Sequence, residues 1–260
     1  MPRPPVSISL SSFGAHAVLE HGQASFLPLV SAGGATFAEV REELFGPGEP
    51  DLQALAQAIQ THRLQCIYSS PLQLWQENGQ LDTVTLKRAL GRAQSLNARW
   101  LKVSIGYYVG QNLAELAICL AGYPVRLLVE NDQTAQGGRI APLQDFFAAV
   151  QRQQLDIGMT FDIGNWHWQR ETPSFAAMQL GRHVEYVHCK AVRQVNERLH
   201  AVPPSVEELA DWTALFACFR TNLPRAIEFP LQGDNLAKEV AQQVENLANL
   251  GQLHEERHHA

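Results

Sequence analysis

The sequence predicts one α/β domain of the (β/α)8, or TIM, barrel class spanning residues 1–260. Three observations carry this prediction. Eight short β-rich runs alternate with longer helical patterns. Nearly every junction between runs holds a helical pattern in place of a tight turn, which calls for parallel strands and right-handed crossovers. The chain of 260 residues then allots about 30 residues to each unit, the size of one strand–helix step in a closed barrel.

The elements follow in order. Val6–Leu10 is strand-like, and a helical stretch fills much of Ala15–Val30. Thr36–Arg41 is a weaker second strand. Asp51–His62 is a helix whose leading aspartate can cap it. Gln65–Ser70 is the third strand, followed by an amphipathic helix over Asp82–Asn97 with Leu86, Ala89, Leu90 and Ala93 at helical spacing. Trp100–Ile105 is the fourth strand, with a helix over Asn112–Ala121. Val125–Glu130 is the fifth, a near-continuous apolar run of the kind a sheet buried on both faces requires. Helix Pro142–Gln153, strand Ile157–Asp162, helix Pro173–Leu180, strand Val184–His188, helix Val206–Phe219, strand Arg225–Phe229 and helix Asn235–Leu250 complete the pattern. A doubly wound open sheet is the competing architecture. It usually places a glycine-rich phosphate loop after its first strand, and Ser11–Ser12–Phe13–Gly14 is not one.

Composition narrows the function. Apolar residues make up 45% of the chain, enough for one large core, and the net charge is −6. An acidic chain is poorly matched to a nucleic-acid backbone. No stretch reaches the roughly 20 apolar residues needed to cross a bilayer, and the start lacks the apolar region of a signal peptide. Cys66, Cys119, Cys189 and Cys218 form no CxxC pair, and they read as reduced core thiols of a cytoplasmic protein. The His-rich segment His254–Ala260 reads as a frayed tail.

Four polar residues end the last four predicted strands: Glu130 in Leu-Leu-Val-Glu-Asn, Asp162 in Met-Thr-Phe-Asp-Ile, His188 in Tyr-Val-His-Cys-Lys and Glu228 in Ala-Ile-Glu-Phe. The active sites of such barrels are built at this face from the ends of several strands. Three carboxylates and an imidazole make a coherent ligand set for one divalent ion, Mn²⁺, Mg²⁺, Co²⁺ or Zn²⁺. Without a cation, carboxylates this close raise one another's pKa. The alternative is four separately hydrogen-bonded polar residues. Glu39 and Arg41 alternate toward one face near the end of the second strand. Lys102 stands in an apolar strand, where an unpaired ammonium is costly. It either meets an anionic group of a substrate or pairs with Glu39, and the pair is the favoured expectation. Tyr68 and Trp75 either wall the mouth or simply pack; His16 and His200 read as structural.

The runs Val129-Glu130-Asn131, Phe161-Asp162-Ile163-Gly164-Asn165 and His188-Cys189-Lys190 resemble those of the xylose-isomerase-like sugar isomerases and epimerases, a group that includes tagatose 3-epimerase and inosose dehydratase. Glu-Asn-Asp-Gln-Thr, with Gly137-Gly138 after it, is similar to the ketogluconate utilisation epimerases. The resemblance implies that Glu130, Asp162, His188 and Glu228 hold the metal. It also implies that Glu130 and Glu228 face opposite sides of a sugar, ketose or keto-sugar acid and act as its acid/base pair. It places Glu39 on a family glutamate and Arg193 near a substrate-binding arginine, and it implies a homo-oligomer. The family often has a histidine where this chain has Asn165, which cannot take up a proton at neutral pH. His167 either substitutes for it or packs in its loop beside Trp166 and Trp168. The competing functions are a dehydroshikimate- or inosose-dehydratase-like lyase on the same scaffold, an abasic-site endonuclease, and a barrel that binds a sugar acid without turnover. The endonuclease needs more histidine ligands and a basic face.

Overall fold

Eight parallel strands close on themselves in the computed structural model, which describes residues 3–251. They are β1 (Val6–Ser9), β2 (Phe37–Arg41), β3 (Gln65–Trp75), β4 (Ala98–Gly106), β5 (Arg126–Glu130), β6 (Ile157–Asp162), β7 (Val184–Cys189) and β10 (Arg225–Ile227). Each pairs with its sequence neighbours, and β1 pairs with β10 to shut the ring. The predicted barrel is therefore the observed one. The segment His254–Ala260 lies outside the described residues.

Around the strands run α1 (Ala15–His21), α2 (Leu27–Ala32), α3 (Leu52–Thr61), α4 (Thr83–Ser95), α5 (Ala114–Leu120), α6 (Ile140–Arg152), α7 (Pro173–Leu180), α8 (Val206–Phe216) and α9 (Leu236–Asn249). Side chains satisfy several helix starts. Asp51 accepts from the Ala54 N–H, Asp82 from Thr85 and Asn235 from Lys238. The single helix expected over Ala15–Val30 is broken at Gly22, whose φ of 77° no helix continues. Strand β3 outruns its expected end at Ser70 because a register shift between Ser69 and Gln73 absorbs Pro71.

The seventh junction also departs from expectation. Between His188 and α8 the chain forms an antiparallel hairpin, β8 (Ala191–Val195) and β9 (Arg198–Val202). Its turn residues Asn196 and Glu197 both have positive φ, the two-residue geometry that matches strand twist. Glutamate is an uncommon choice there.

The interior is layered. Phe37, Ile67, Trp100, Leu128, Tyr186 and Ala226 form an apolar cluster separate from the main core under the helices. Trp100 stacks on Phe37 with centroids 5.9 Å apart and lies 5.7 Å from Tyr186, so these contacts cross the barrel. Alternate residues of a strand share a face. Two positions further along the same strands stand Glu39, Ser69, Lys102, Glu130, His188 and Glu228, with Asp162 two beyond Thr160. A charged layer thus lies directly on an apolar plug at the carboxyl end of the barrel. Tyr68 and Trp75 belong to the main outer core; Trp75 packs on Tyr108 and Phe146.

Candidate metal centre

His188 is the hub of the charged layer. Its Nε2 lies 2.6 Å from Glu39 Oε2 across the barrel. A carboxylate only accepts, so Nε2 carries the proton and Nδ1 presents its lone pair to the opposite side. There Nδ1 meets Glu130 Oε1 and Glu228 Oε2, each at 3.0 Å, and Asp162 Oδ2 at 3.8 Å. One ligand atom from each of Glu130, Asp162, His188 and Glu228 lies within 4.8 Å of the others. Glu130 Oε1 and His188 Nδ1 are buried without a hydrogen-bond partner, and buried Asp162 Oδ2 has the Lys190 ammonium beside it. Buried polar atoms are almost always satisfied. A nitrogen lone pair and carboxylate oxygens converging on one point fit a divalent cation, with Glu39 fixing the imidazole from behind.

Three cations surround this set. Lys102 Nζ is 2.6 Å from Glu130 Oε2 and 3.7 Å from Glu39 Oε1, so its first partner is Glu130 and Glu39 is the second. Lys190 Nζ is 2.7 Å from both Asp162 Oδ2 and Glu228 Oε2. Arg41 Nη1 donates to Glu228 Oε1 at 2.7 Å and to Glu39 Oε1 at 3.2 Å. Tyr186 adds its hydroxyl to Glu39 Oε2 at 2.9 Å.

Burial pushes each of these groups toward its neutral form, and the neighbours decide the result. Burial works to raise the Glu39 carboxyl, but His188, Lys102 and Arg41 hold it down at about 2. Glu228 is held well below the usual carboxylate range against burial by His188 and Lys190. Glu130 is lowered against burial by Lys102 and His188. Asp162 moves the other way: burial, aided by Glu228 and Glu130, outweighs Lys190 and raises it. Burial lowers His188, yet Glu228, Glu39 and Glu130 raise it well above its ordinary value. The carboxylates therefore demand a positive charge at His188 Nδ1, whether proton or metal.

Asp162 is held by its neighbours. Asn131 donates Nδ2 to the Asp162 carbonyl at 2.9 Å and accepts its N–H at 2.8 Å. Asn165 donates its N–H to Asp162 Oδ1 and its Nδ2 to the Asn131 carbonyl, both at 2.9 Å, and accepts from Gln133 at 3.2 Å. Asn165 is thus buried and committed to bracing the β5 and β6 ends. His167 is exposed on the following turn; burial of its ring lowers its pKa despite Glu208 nearby. Arg193 lies on β8 and grips both oxygens of Glu208, at 2.6 and 2.7 Å. Neither His167 nor Arg193 is bonded to the charged layer among the described residues.

The family model described as xylose isomerase-like TIM barrel matches residues 27–247. The chain belongs to this family. No curated protein matches it. Among solved structures, the xylose isomerase-like barrel superposes on D-psicose 3-epimerase with D-tagatose from Clostridium cellulolyticum H10, at 12% identity and TM-score 0.66, over 96% of this chain and 98% of that one. The IolI protein with a bound zinc atom gives 15% and 0.69, over 96% and 98%. The probable 3-DHS dehydratase AsbF of Bacillus anthracis gives 11% and 0.68, over 94% and 99%. At these identities the likeness is one of fold.

Within this family member, sequence reading overlooked Lys190 as part of the charged layer and left Arg41 without a partner. Both were findable: each stands two residues beyond an inward-facing ligand or its support, His188 and Glu39, on the same strand face. The thiols are all free, but only Cys66, Cys119 and Cys189 are buried; Cys218 is exposed, because it follows the end of α8 on the outer surface. No helix among the described residues is long and apolar enough to cross a membrane.

Proposed function

We propose that this protein is a divalent-metal-dependent isomerase or epimerase that moves a proton on a sugar, ketose or keto-sugar acid through an enediolate. The observation that carries this reading is the convergence of Glu130 Oε1, Asp162 Oδ2, His188 Nδ1 and Glu228 Oε2, with one ligand atom from each side chain within 4.8 Å of the others. When bound, Mn²⁺, Mg²⁺, Co²⁺ or Zn²⁺ supplies Lewis-acid polarisation of the substrate carbonyl.

The chain's own residues do the rest. Glu130 at the end of β5 and Glu228 just past β10 each lie 3.0 Å from His188 Nδ1, and the family resemblance assigns them to opposite faces of the substrate. One removes the carbon-bound proton and the other returns it. Return to the opposite face of the same carbon inverts it; return to the neighbouring carbon, with the hydroxyl proton passing from one oxygen of the enediolate to the other, exchanges aldose and ketose. Asp162 and His188 hold and do not transfer protons. Glu39 keeps the His188 Nδ1 lone pair turned inward, and Lys102 keeps Glu130 ionised. Asn165 aims Asp162, so the proton chemistry falls to the two glutamates. His167 and Arg193 are assigned to the outer part of the substrate. The fold shared with D-psicose 3-epimerase supports a sugar substrate, and the zinc of the IolI structure supports a metal on this scaffold.

Elemental analysis of the purified protein, with Glu130→Gln and Asp162→Asn beside it, tests the site. The expected result is about one divalent ion per chain in the wild type and loss of it in the variants. Solvent deuterium exchange into ketoses and keto-sugar acids, followed by NMR, then reads the proton transfer; loss of water from the substrate instead marks the lyase reaction of a dehydratase such as AsbF. A wild type that neither carries metal nor binds added Mn²⁺ overturns the reading.

A further inference from the structure

We infer that the first strand–helix connection is a clamp on Glu228, and that Gln23 and Ser12 are its two positioning residues. This rests on the metal-dependent reading above and adds residues that act on its glutamate from outside the charged layer.

Glu130 and Glu228 are held differently, which is the first observation. Glu130 lies within the ladder, paired with Ser104 on β4 and with Thr160 on β6. Glu228 lies past it. Pairing of β1 with β10 ends at Ile8–Ile227, and pairing of β10 with β7 ends at Ile227–Cys189. The Glu228 N–H still reaches the Cys189 carbonyl at 3.2 Å. On its other side no strand remains, because β1 stops at Ser9 and passes into the 3₁₀ turn Leu10–Phe13. The same early end shortens the pairing of β1 with β2, which reaches Ser9–Glu39, whereas β2 continues against β3 as far as Arg41–Ser69. A buried backbone group without a partner is costly. Both neighbours of β1 therefore need a substitute for the missing strand.

Side chains of the connection supply it, which is the second observation. Ser12 Oγ donates to the Ile227 carbonyl at 3.2 Å. That carbonyl and the Glu228 N–H belong to one peptide group, so the peptide is held from both sides. The Ser12 carbonyl in turn accepts the Leu231 N–H at 2.8 Å. Gln23 Oε1 accepts the Arg41 N–H at 2.8 Å, and its Nε2 donates to the Arg41 carbonyl at 2.9 Å. These are the two bonds a neighbouring strand would make. Ser12 and Gln23 are each 4% exposed. The helix break at Gly22 ends α1 and opens the 3₁₀ turn Gln23–Phe26 that carries Gln23. Phe13 stacks on Phe26 with centroids 4.8 Å apart and ties the two arms together.

Both arms end on Glu228, which is the third observation. Ser12 fixes its main chain. Gln23 fixes Arg41, whose Nη1 donates to Glu228 Oε1 at 2.7 Å. Glu43 occupies the other edge of that guanidinium, with Nε at 2.8 Å and Nη2 at 2.7 Å. With Oε1 engaged, Oε2 is the oxygen left turned toward His188 Nδ1. The clamp thus sets which Glu228 oxygen faces the metal point. A metal ligand that loses its outer hydrogen bonds binds more weakly.

Calorimetric titration of the protein with Mn²⁺ tests this. Gln23→Met keeps the length of the side chain, removes both bonds and leaves every charge in place. It should weaken Mn²⁺ binding by about tenfold or more, and Ser12→Ala, which removes one bond, should weaken it less. Val150→Ala truncates the core on α6 and should lower stability with Mn²⁺ affinity unchanged. In an Arg41→Met background, Gln23→Met should have no further effect on the affinity, because Gln23 acts through Arg41. Should Gln23→Met not fold, Gln23→Asn, one methylene too short to meet both Arg41 groups, takes its place with the same expectations. Unchanged affinity in the folded variant, an equal loss in Val150→Ala, or the same loss in the Arg41→Met background overturns the clamp and leaves the metal reading intact. A wild type that binds no Mn²⁺ overturns both, so the two failures are distinct.

Discussion

Lys102–Glu130 and Arg193–Glu208 are both cation–glutamate pairs whose closest atoms are 2.6 Å apart. In the first, the side chains are 2% and 14% exposed; in the second, 47% and 27%. The shared distance hides opposite roles. The outer pair stays in water's reach, and ion pairs of that kind contribute little. The inner pair sits among five other charged groups on an apolar plug, where removing either partner strands the other. A barrel interior can be filled with branched apolar side chains. Keeping four carboxylates there costs stability, which is expected where the charges serve a site and not the fold.

That contrast is broken most directly at Glu130. Glu130→Gln keeps the shape and removes the charge, so proton exchange into substrate should fall by about 10²–10⁴-fold. NMR-detected deuterium uptake measures this. Retained exchange would move Glu130 from the acid/base pair to the background. Arg193→Ala should leave the exchange rate at the reacting carbon within a few-fold of wild type.

Lys102→Met probes the same pair from its other side. The substitution leaves Glu130 and Glu39 facing each other with one cation fewer, and the metal-free protein should lose about 3–5 kcal/mol in urea unfolding. Adding Glu130→Gln to Lys102→Met should recover part of that loss, since the stranded charge is gone. Equal losses from Lys102→Met and Arg193→Ala would mean that burial does not separate the two pairs.

The inner layer was largely legible in the sequence. Apolar runs ending in Glu130, Asp162, His188 and Glu228 mark strand ends, and period-2 alternation carries those ends to one face. The outer region was not legible. The hairpin turns on Asn196–Glu197, and glutamate at positive φ gives no turn signal. Strand β3 runs through Pro71, which reads as a strand end until a register shift accommodates it. The expected Lys102–Glu39 pair is present at 3.7 Å, but the closer partner, Glu130 at 2.6 Å, was not foreseen. Alternation places Lys102 and Glu39 on the same interior, but only the three-dimensional stagger of β4 against β5 brings Glu130 closer. Asn165 shows the limit from the other side. Its type invites a substrate contact, while its bonds to Asp162 and Asn131 exist only once β5 and β6 lie together.

Asn131 sharpens the comparison without any charge. Its carboxamide makes two bonds to the Asp162 backbone just beyond the last β5–β6 backbone pair, Glu130 with Thr160. Asn131→Ala removes both and leaves a buried N–H and a buried carbonyl unsatisfied. It should cost about 1–3 kcal/mol per stranded group at most, and metal affinity should fall with it because Asp162 is no longer fixed. Urea unfolding and Mn²⁺ titration read the two effects separately. A stability loss with unchanged metal affinity would confine Asn131 to the fold.

The smallest effect belongs to the outer pair and depends on pH. Glu208 is also the capping partner of α8: its side chain accepts the Ser205 N–H at 2.8 Å, and Ser205 Oγ accepts the Glu208 N–H at 3.2 Å. The hydrogen bond from Arg193 is the main cause holding the Glu208 carboxyl below its ordinary value of 4.5, against burial and with help from Ser205. A carboxyl lowered in the folded state contributes stability that is complete above its unfolded pKa and disappears as pH falls through the folded one. The difference in thermal midpoint between wild type and Glu208→Gln should therefore be constant above about pH 5 and shrink below it. Ser205→Ala, which removes the other half of the cap, should cost about 1 kcal/mol at any pH in that range. A midpoint difference that grows on acidification would reverse the sign, and would mean that Glu208 is strained by its two partners and not held by them.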